Sequence, residues 1–375
     1  GDLDLLYRAN LELRTATRIL MPLREFAAKT PEMLYDQVRR VKWEDILDSE
    51  KTFAVDCTIA GAKSLGRDRI APPVERPAPV LDRAQGIQHS KYASLKIKDA
   101  IVDELRQRQG ARPNVDRERP DVQVHAYLRE GRCILSLDSS GPSLHERAYR
   151  LDGMRAPLKE TLAAAIVELT EWDMKAPFVD PMCGSGTIAL EAALKAMNIA
   201  PGLYREHFGF MGWKDFDETL YTNIVDAARS RVKTRIENPI VGFDRDRDAV
   251  AAAIENSGRA GLTKAVHFER REFDSLAPVG KGAGVVVVNP PYGERLGEME
   301  ELRVLYKTIG DLFKQRMKGW TGYIFTGNLE LAKGVGLKAS RRMELFNGPI
   351  ECRLLKYELY DGSKNAHTKN TTNDV

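Results

Sequence analysis

Two short segments hold residue types whose spacing could bind a ligand and carry out chemistry. In residues 180–187 (DPMCGSGT) an apolar strand ends at Asp180, and two glycines precede an amphipathic helix. Glycine lets the backbone approach a ligand closely, and the free N–H groups at a helix start suit a carboxylate or a phosphate. The second segment, residues 289–292 (NPPY), follows four valines that predict a buried strand.

The glycine turn differs from the common phosphate-binding patterns. Thr-Ile-Ala follows Gly184 and Gly186, so the dinucleotide pattern GxGxxG is absent, and so is GxxxxGK[ST]. A tight turn without a ligand would also use glycine, but it would not need this run of Asp, Pro, Cys, Ser and Thr. The pattern therefore predicts a ligand at the carboxyl end of a strand in a doubly wound sheet.

Two later acidic positions could complete that site. Asp244 ends the next predicted strand, where a carboxylate can accept hydrogen bonds from ribose hydroxyls. It follows Asp180 by 64 residues, far more than the roughly 20 of a dinucleotide fold, and an inserted segment at 201–239 explains the excess. Glu272 or Asp274 could contact an adenine amine, and we favour Glu272 because it lies nearer the strand end.

The Asn-Pro-Pro-Tyr element predicts chemistry on an amine. Two prolines fix the backbone and lack N–H groups, so the Pro290 carbonyl is free to face a ligand. With the side-chain oxygen of Asn289 it offers two acceptors to an amine on a planar ring, which could stack on Tyr292. The lone pair of such an amine is delocalised into the ring. Two acceptors on the amine hydrogens favour a pyramidal nitrogen and return the lone pair to it. This fits methylation by S-adenosylmethionine without a strong general base. The alternative is that the two prolines only form a rigid connection from the strand to the following loop, with no ligand.

The elements that must position these residues alternate between strands and helices. Strands are predicted at 176–180, 240–244, 266–269, 284–289 and 321–326, with helices at 187–197, 246–260 and 300–317. Repeated β-α units imply a doubly wound parallel sheet, here followed by an antiparallel hairpin around Asn347-Gly348. The first half mixes strands and helices and predicts an α+β region, with a Pro-rich loop at 71–86.

Composition sets limits on the function. The chain has 375 residues, of which 43% are hydrophobic and 30% charged, with a net charge of +3. These values exclude a disordered or collagenous chain, and no apolar stretch approaches the length of a membrane span. The four cysteines are far apart, which argues against a metal site or a disulfide framework and fits a cytoplasmic protein. No signal peptide is expected from the segment that follows Gly1.

These motifs resemble those of class I S-adenosylmethionine-dependent methyltransferases. DPMCGSGT resembles the first motif of that family, and NPPY resembles the motif of its amino methyltransferases. GPSLHERAYR, APLKETLAAAIV, NPPYGERLG and NGPIECRLLKYELY resemble bacterial THUMP-domain RNA methyltransferases, most of all the 23S ribosomal RNA guanine-N2 methyltransferase group (RlmL-type). The resemblance covers essentially the whole chain and is motif-specific from Ser143 onward. Ala148 departs from it, because the family usually has glycine there.

The resemblance implies a Rossmann-like methyltransferase sheet preceded by an RNA-binding region. Its domains would be the end of a ferredoxin-like piece (1–27), a THUMP domain (28–140), a linker and helix (141–172), the methyltransferase domain (173–362) and a disordered tail (363–375). The cofactor would be lined by Asp180, Pro181, Cys183, Gly184, Ser185, Gly186, Thr187, Asp244, Glu272 and Asn289. The target guanine would be held by Asn289, Pro290 and Tyr292. The implied partner is RNA, as 23S rRNA or a ribosome-assembly intermediate, and neither a membrane nor a metal is expected.

Contacts with RNA are harder to assign to residues. Residues 63–119 hold 13 Lys+Arg and 8 Asp+Glu, a net of +5. Lys91, Lys96 and Lys98 are candidates for phosphate contacts, or they form a solvated helix face. His89 is interpreted as structural, as is His145.

The inserted segment carries an aromatic stripe. We interpret it as the core of a helical insertion, with base stacking as the alternative. The stripe consists of Phe208, Phe210, Trp213 and Phe216.

Other substrates and another class of protein remain open at this point. Asn-Pro-Pro-Tyr would serve tRNA guanine, DNA adenine or a protein glutamine as well as rRNA guanine. A non-enzymatic RNA-binding assembly factor with a vestigial pocket is a further alternative.

Overall fold

The computed structural model describes residues 1–48, 50–60, 86–150, 158–293 and 299–360. The chain divides into two compact units, residues 1–144 with 205–226 and residues 145–204 with 227–375. The predicted loop at 71–86, apart from Gly86, and the predicted tail lie outside the described residues. No helix within those described ranges is long and apolar enough to span a bilayer.

The first unit is built on a five-stranded sheet. Its elements are α1 (Leu3–Glu12), β1 (Leu20–Ala27), α2 (Pro31–Arg39), β2 (Thr52–Ile59), α3 (Ser90–Gln109), β3 (Asn114–Val115), β4 (Val122–Arg129) and β5 (Arg132–Asp138). The strand order is β1-β5-β4-β2-β3, in which β2 is parallel to β3 and β4 and the other neighbours are antiparallel. The α+β prediction is confirmed.

The second unit is built on a seven-stranded sheet. Its elements are α4 (Glu160–Leu169), β6 (Phe178–Asp180), α5 (Thr187–Ala196), α6 (Glu218–Ser230, shared with the first unit), β7 (Ile240–Asp244), α7 (Arg247–Arg259), β8 (Val266–Arg270), β9 (Val285–Val288), α8 (Met299–Arg316), β10 (Thr321–Thr326), α9 (Leu329–Lys333), β11 (Arg341–Asn347) and β12 (Ile350–Glu358). The strand order is β11-β12-β10-β9-β6-β7-β8. The pairs from β10 to β8 are parallel, and β12 is antiparallel to both neighbours. This confirms the doubly wound sheet with a terminal hairpin.

Helices cover both faces of the sheet in the second unit, and the central strands are therefore apolar on both sides. Val285 and Val287 belong to one buried cluster, and Val286 and Val288 belong to a second. Successive side chains of a strand point to opposite faces, so the two clusters lie on the two sides of the sheet. This explains why a run of four valines, rather than an alternating pattern, forms β9.

The order of the strands creates a place for a ligand. The chain runs from β6 outward to β7 and β8, and then returns to β9 on the other side of β6. The connections that leave β6 and β9 therefore diverge, and ligands bind outside the carboxyl ends of strands at such a switch point. Both chemically active segments of the sequence follow these two strands.

The inserted aromatic stripe is part of a core, but this core belongs to the first unit rather than to the insertion alone. Tyr7 of α1 stacks on Phe210 with ring centroids 4.4 Å apart, and Phe208 stacks on Phe210 at 5.3 Å. Phe208 and Phe210 are fully buried. Residues 205–226 thus complete the first unit although they lie within the methyltransferase half of the sequence.

The HERAYR segment anchors the start of the second unit. Arg147 pairs with Glu191 of α5, both fully buried, and the Tyr149 hydroxyl donates to the same carboxylate at 2.8 Å. Ala148, between them, has a φ of +57°. The backbone therefore adopts the left-handed conformation that glycine favours, at the position where the family resemblance expects glycine.

Candidate active site

The loops at the carboxyl ends of β6, β7, β8 and β9 line one cavity of about 1000 Å³. This is the upper end of the usual size of a ligand pocket, so a cofactor and part of a second substrate both fit. The predicted site residues that line it are Asp180, Pro181, Cys183, Gly184, Ser185, Thr187, Asp244, Glu272, Asn289, Pro290 and Tyr292. Gly186 is the one predicted residue outside the lining.

Gly186 shapes the turn rather than lining the cavity. Its φ is +84°, and an added Cβ would lie 2.6 Å from Cζ of Phe268. Gly184 has a φ of +51°, but a Cβ there would meet nothing within 4 Å. Gly186 also begins α5, since its carbonyl accepts from Leu190 N at 2.8 Å. Gly184 is therefore favoured only by its positive φ, whereas Gly186 is favoured by its positive φ and by the close approach of Phe268.

The carboxylate of Asp244 joins the ends of β6 and β7. Its Oδ2 accepts from Gly184 N at 3.0 Å, and its Oδ1 accepts from Asp246 N at 3.0 Å. Each oxygen retains a lone pair that can accept from another donor. The inserted segment therefore does not separate Asp244 from the glycine turn, and both line the cavity as predicted.

The carboxylate of Asp180 is buried at the cavity without a partner. Neither oxygen forms a hydrogen bond with a described residue. The N–H groups of Met182 and Ala189 favour its ionised form, but neither forms a hydrogen bond with it. Burial, together with the negative charge of Asp244, raises the pKa of Asp180 to about 8. Such a carboxylate would be stabilised by a cationic group bound in the cavity.

Cys183 is buried in the wall of the cavity. Burial, with the charges of Asp180 and Asp244, raises the pKa of its thiol well above the ordinary range. The thiol is therefore neutral, and a nucleophilic role is unfavourable. No group of His, Cys, Asp or Glu within the described ranges could hold a metal ion.

The rest of this part of the cavity carries charges of both signs. Glu272 and Asp274 both line it, and each stays a predicted contact for an adenine amine. Lys159, just before α4, also lines the cavity and forms no ion pair with a described residue. Its role was not predicted, because a single lysine before a helix carries no specific signal.

The four residues of the Asn-Pro-Pro-Tyr element line the same cavity. Asn289 Oδ1 accepts a hydrogen bond from the Tyr292 hydroxyl at 2.9 Å, which fixes the orientation of the amide. The Pro291 carbonyl accepts from the Tyr306 hydroxyl at 3.4 Å, whereas the Pro290 carbonyl accepts no backbone hydrogen bond from the described chain. Burial raises the pKa of Tyr292, so its hydroxyl stays protonated and donates.

The structure adds residues that sequence reasoning missed. They come from α8 and from the turn of the terminal hairpin, far from either motif in sequence. These lining residues are Leu305, Thr308, Asn347, Gly348, Pro349 and Ile350. The hairpin was predicted with an Asn347-Gly348 turn, but Asn347 pairs with Ile350, so Gly348 and Pro349 form the turn. No sequence signal marks this turn as a cavity wall.

The basic candidates lie in the first unit. Lys98 pairs with Asp99 at 2.8 Å, and Lys96 lies over the Tyr35 ring at 5.7 Å. Lys96 and Lys98 line a second, smaller depression, whereas Lys91 does not. Phosphate contacts by these lysines stay a prediction, as does the alternative of a solvated helix face.

Sequence families match both parts of the chain. The RMKL-like methyltransferase domain (UPF0020) matches residues 147–356, and the THUMP domain matches residues 28–76 and 83–138. The chain belongs to the RMKL-like methyltransferase family. Membership confirms the predicted enzyme class, a methyltransferase that uses S-adenosylmethionine, and the predicted THUMP domain.

Individual relatives agree with this family. The chain is 42% identical over 368 residues to the ribosomal RNA large subunit methyltransferase K/L of Syntrophotalea carbinolica, covering 96% of this chain and 48% of that protein. It is 38% identical to the putative RNA methyltransferase slr0064 of Synechocystis, covering 96% of this chain and 88% of that protein. The chain thus spans about half the length of the K/L relatives it matches.

A solved structure extends the comparison to the fold. The crystal structure of SMU.472, a putative methyltransferase complexed with SAH, is 32% identical, with a TM-score of 0.81. The match covers 97% of this chain and 89% of that one.

Proposed function

We propose that this protein transfers a methyl group from S-adenosylmethionine to the exocyclic N2 amine of a guanine in 23S rRNA. The observation that carries the proposal is the shared cavity. Asn289, Pro290 and Tyr292 line the same space as the glycine turn after β6. A cofactor held by the turn and an amine held by Asn289 would therefore meet in one pocket.

The residues of the cavity fit the charges of the cofactor. The partnerless carboxylate of Asp180 suits the cofactor's amino group, and Lys159 suits its carboxylate. Asp244 has a free lone pair on each oxygen for the ribose hydroxyls. Glu272, with Asp274 as the alternative, would accept from the adenine amine. When bound, S-adenosylmethionine supplies an electrophilic methyl group on a sulfonium.

The acceptors at Asn289 and Pro290 would activate the target amine. The lone pair of an aromatic amine is delocalised into its ring, and hydrogen bonds to both amine hydrogens favour a pyramidal nitrogen. The Tyr292 hydroxyl holds Asn289 Oδ1 in place, so this acceptor is oriented before the substrate arrives. No strong general base is needed, because the nitrogen loses its proton only after it has gained the methyl group.

The choice of RNA rests on the first unit and on the relatives. A THUMP domain matches residues 28–76 and 83–138, and the relatives from Syntrophotalea carbinolica and Synechocystis are RNA methyltransferases by their descriptions. A guanine inside structured RNA would have to leave its stack to enter the cavity. Free 23S rRNA and a ribosome-assembly intermediate are both candidate substrates, and either would place the enzyme in the cytoplasm.

Methyl transfer to separate nucleic acids tests the proposal. Labelled S-adenosylmethionine would be incubated with the protein and with unmodified 23S rRNA, ribosome-assembly intermediates, tRNA or DNA, and the digested products identified by nucleoside mass spectrometry. We expect N2-methylguanosine in 23S rRNA or its assembly intermediates. Label confined to tRNA guanine, DNA adenine or a protein would overturn the substrate and keep the chemistry. Cofactor binding without transfer to any acceptor would favour an assembly factor.

A further inference from the structure

The Asn-Pro-Pro-Tyr element has few backbone N–H groups with which to fix its position. Pro290 and Pro291 have none, so the segment depends largely on its carbonyl groups and side chains. The Tyr292 carbonyl accepts from Asn328 Nδ2 at 3.0 Å, and the Pro291 carbonyl accepts from the Tyr306 hydroxyl at 3.4 Å. The first distance is ordinary for an N–H donor, whereas the second is long for a hydroxyl donor. The Asn328 amide is therefore the stronger contact with this backbone.

Asn328 reaches the element because two strands end side by side. β9 and β10 are parallel neighbours, with Ile324 opposite Val288. Their carboxyl ends therefore lie at the same edge of the sheet, and the residues that follow them are close in space. Asn328 comes two residues after the end of β10, although it lies 36 residues after Tyr292 in the chain.

The orientation of the Asn328 amide is fixed by its two partners. Its Oδ1 accepts from the Leu331 N–H group at 3.1 Å, which caps the start of α9. A backbone N–H group can only donate and the Tyr292 carbonyl can only accept, so the oxygen faces α9 and the NH2 group faces Tyr292. The backbone N–H group of Asn328 also donates to Thr326 Oγ1 at 3.0 Å. One side chain thus joins the helix start to the Asn-Pro-Pro-Tyr element.

Tyr292 carries this constraint to the acceptor on Asn289. The Tyr292 hydroxyl donates to Asn289 Oδ1 at 2.9 Å. The Tyr292 ring lies against the backbone just before Asn328, since a Cβ added to Gly327 would lie 3.1 Å from its Cδ2 atom. Tyr292 is therefore held at its carbonyl, at its ring and at its hydroxyl, and a shift of its backbone would displace the acceptor.

We infer that Asn328 is a positioning residue that holds the Asn-Pro-Pro-Tyr element in place for methyl transfer. The inference rests on the proposed function. Asn328 does not line the cavity, so it acts through Tyr292 rather than on the substrate. Its amide fixes one carbonyl of the segment, while the Pro290 carbonyl and Asn289 Oδ1 accept from the target amine. Without this bond the two acceptors would shift, and a displacement of about 1 Å can cost about 100-fold in rate.

The test uses a substitution that keeps the helix cap and loses the donor. Asn328→Asp retains an oxygen that can accept from Leu331, and aspartate caps helices about as well as asparagine. It places an acceptor, instead of a donor, against the Tyr292 carbonyl. We expect single-turnover methyl transfer to 23S rRNA, at saturating RNA and cofactor, to fall about 10- to 100-fold. Affinity for S-adenosylmethionine in titration calorimetry should stay within about twofold.

A matched control makes the same change outside the site. Asn238 also donates from its amide to a backbone carbonyl, that of Lys175, at 2.6 Å. It belongs to the same unit as Asn328 and does not line the cavity. Asn238→Asp therefore removes a donor and adds a charge as Asn328→Asp does, and it should leave the rate of transfer unchanged.

A double variant separates positioning from a general loss of structure. If Asn328 acts by holding the acceptor on Asn289, Asn328→Asp should reduce the rate at least about threefold less in Asn289→Ala than in the wild type. Equal reductions in both backgrounds would overturn the inference alone. So would a wild-type rate in Asn328→Asp, or a loss of cofactor affinity that matches the loss of rate. Failure of the wild type to form N2-methylguanosine on any RNA would overturn the proposed function as well.

Discussion

Around the glycine turn, the buried carboxylate of Asp180 has no hydrogen-bond partner among the described residues, whereas around the Asn-Pro-Pro-Tyr element the Asn289 oxygen already accepts from Tyr292. The first part of the cavity is thus electrostatically incomplete without a charged ligand. The second part is oriented before any ligand binds. The contrast suggests a division of labour in which an unpaired carboxyl group, which ionises when a cationic group binds beside it, provides affinity for the cofactor and preorganised acceptors provide rate.

The largest expected effect comes from removing the oriented acceptor. Asn289→Ala deletes the oxygen that holds the amine and leaves the glycine turn intact. We expect methyl transfer under single-turnover conditions to fall about 100- to 1000-fold, the scale of losing one preorganised polar group. Retention of the wild-type rate in this variant would falsify the amine-positioning role.

Removing the unpaired carboxyl group of Asp180 should affect cofactor binding instead. Asp180→Asn keeps the shape but cannot pair with a cationic amino group, so affinity for S-adenosylmethionine should fall about 10- to 100-fold, as expected for a charge-assisted hydrogen bond. Titration calorimetry measures this loss. An affinity within a factor of two of the wild type would show that Asp180 does not contact the cofactor's amino group.

The same substitution should change how stability depends on pH. The pKa of Asp180 is about 8 in the folded protein, whereas the ordinary value for an aspartate is 3.8. Between about pH 4 and pH 8 the folded protein therefore holds a proton that the unfolded protein has lost. Stability is lost as the pH rises through this window, by at most about 1.4 kcal/mol per pH unit. Denaturant unfolding of cofactor-free protein should show a shallower decline for Asp180→Asn, and parallel curves would contradict this account.

The two glycines of the turn offer a matched pair. Gly186→Ala meets both a positive φ and the Phe268 ring, whereas Gly184→Ala meets only the positive φ. We expect losses in the free energy of unfolding of about 2–4 kcal/mol for the first and about 1–2 kcal/mol for the second. Denaturant unfolding of both variants at one pH measures the difference, and the reverse order would show that the turn relaxes around the ring.

The smallest expected effect is a gain in stability. Ala148 has a φ of +57° between two residues that anchor to Glu191, so the chain cannot easily relax there. Ala148→Gly should remove the strain and stabilise the protein by about 0.5–1 kcal/mol after the added entropy of the unfolded chain is subtracted. A rise in the unfolding midpoint measures the gain, and a lower midpoint would argue that the backbone conformation imposes little strain.

The two parts of the cavity also differed in how far the sequence predicted them. The glycine turn, Asp244 and Asn289 lie at or just after the ends of strands that the apolar residues predict, and the order of those strands brings them together. Asn347 and Lys159 carry no local signal that marks a cavity wall, because their place at the cavity depends on how β12 inserts beside β10 and on how α4 begins. Pattern and spacing identify residues at strand ends, whereas contacts from distant strands require the three-dimensional structure.

The most direct test of this division of labour is titration calorimetry of S-adenosylmethionine into the wild type, Asn289→Ala and Asp180→Asn under one set of conditions. We predict that Asn289→Ala binds the cofactor within about threefold of the wild type, while Asp180→Asn binds at least about tenfold more weakly. Equal weakening in both variants, or weakening confined to Asn289→Ala, would contradict the separation of cofactor affinity from amine positioning.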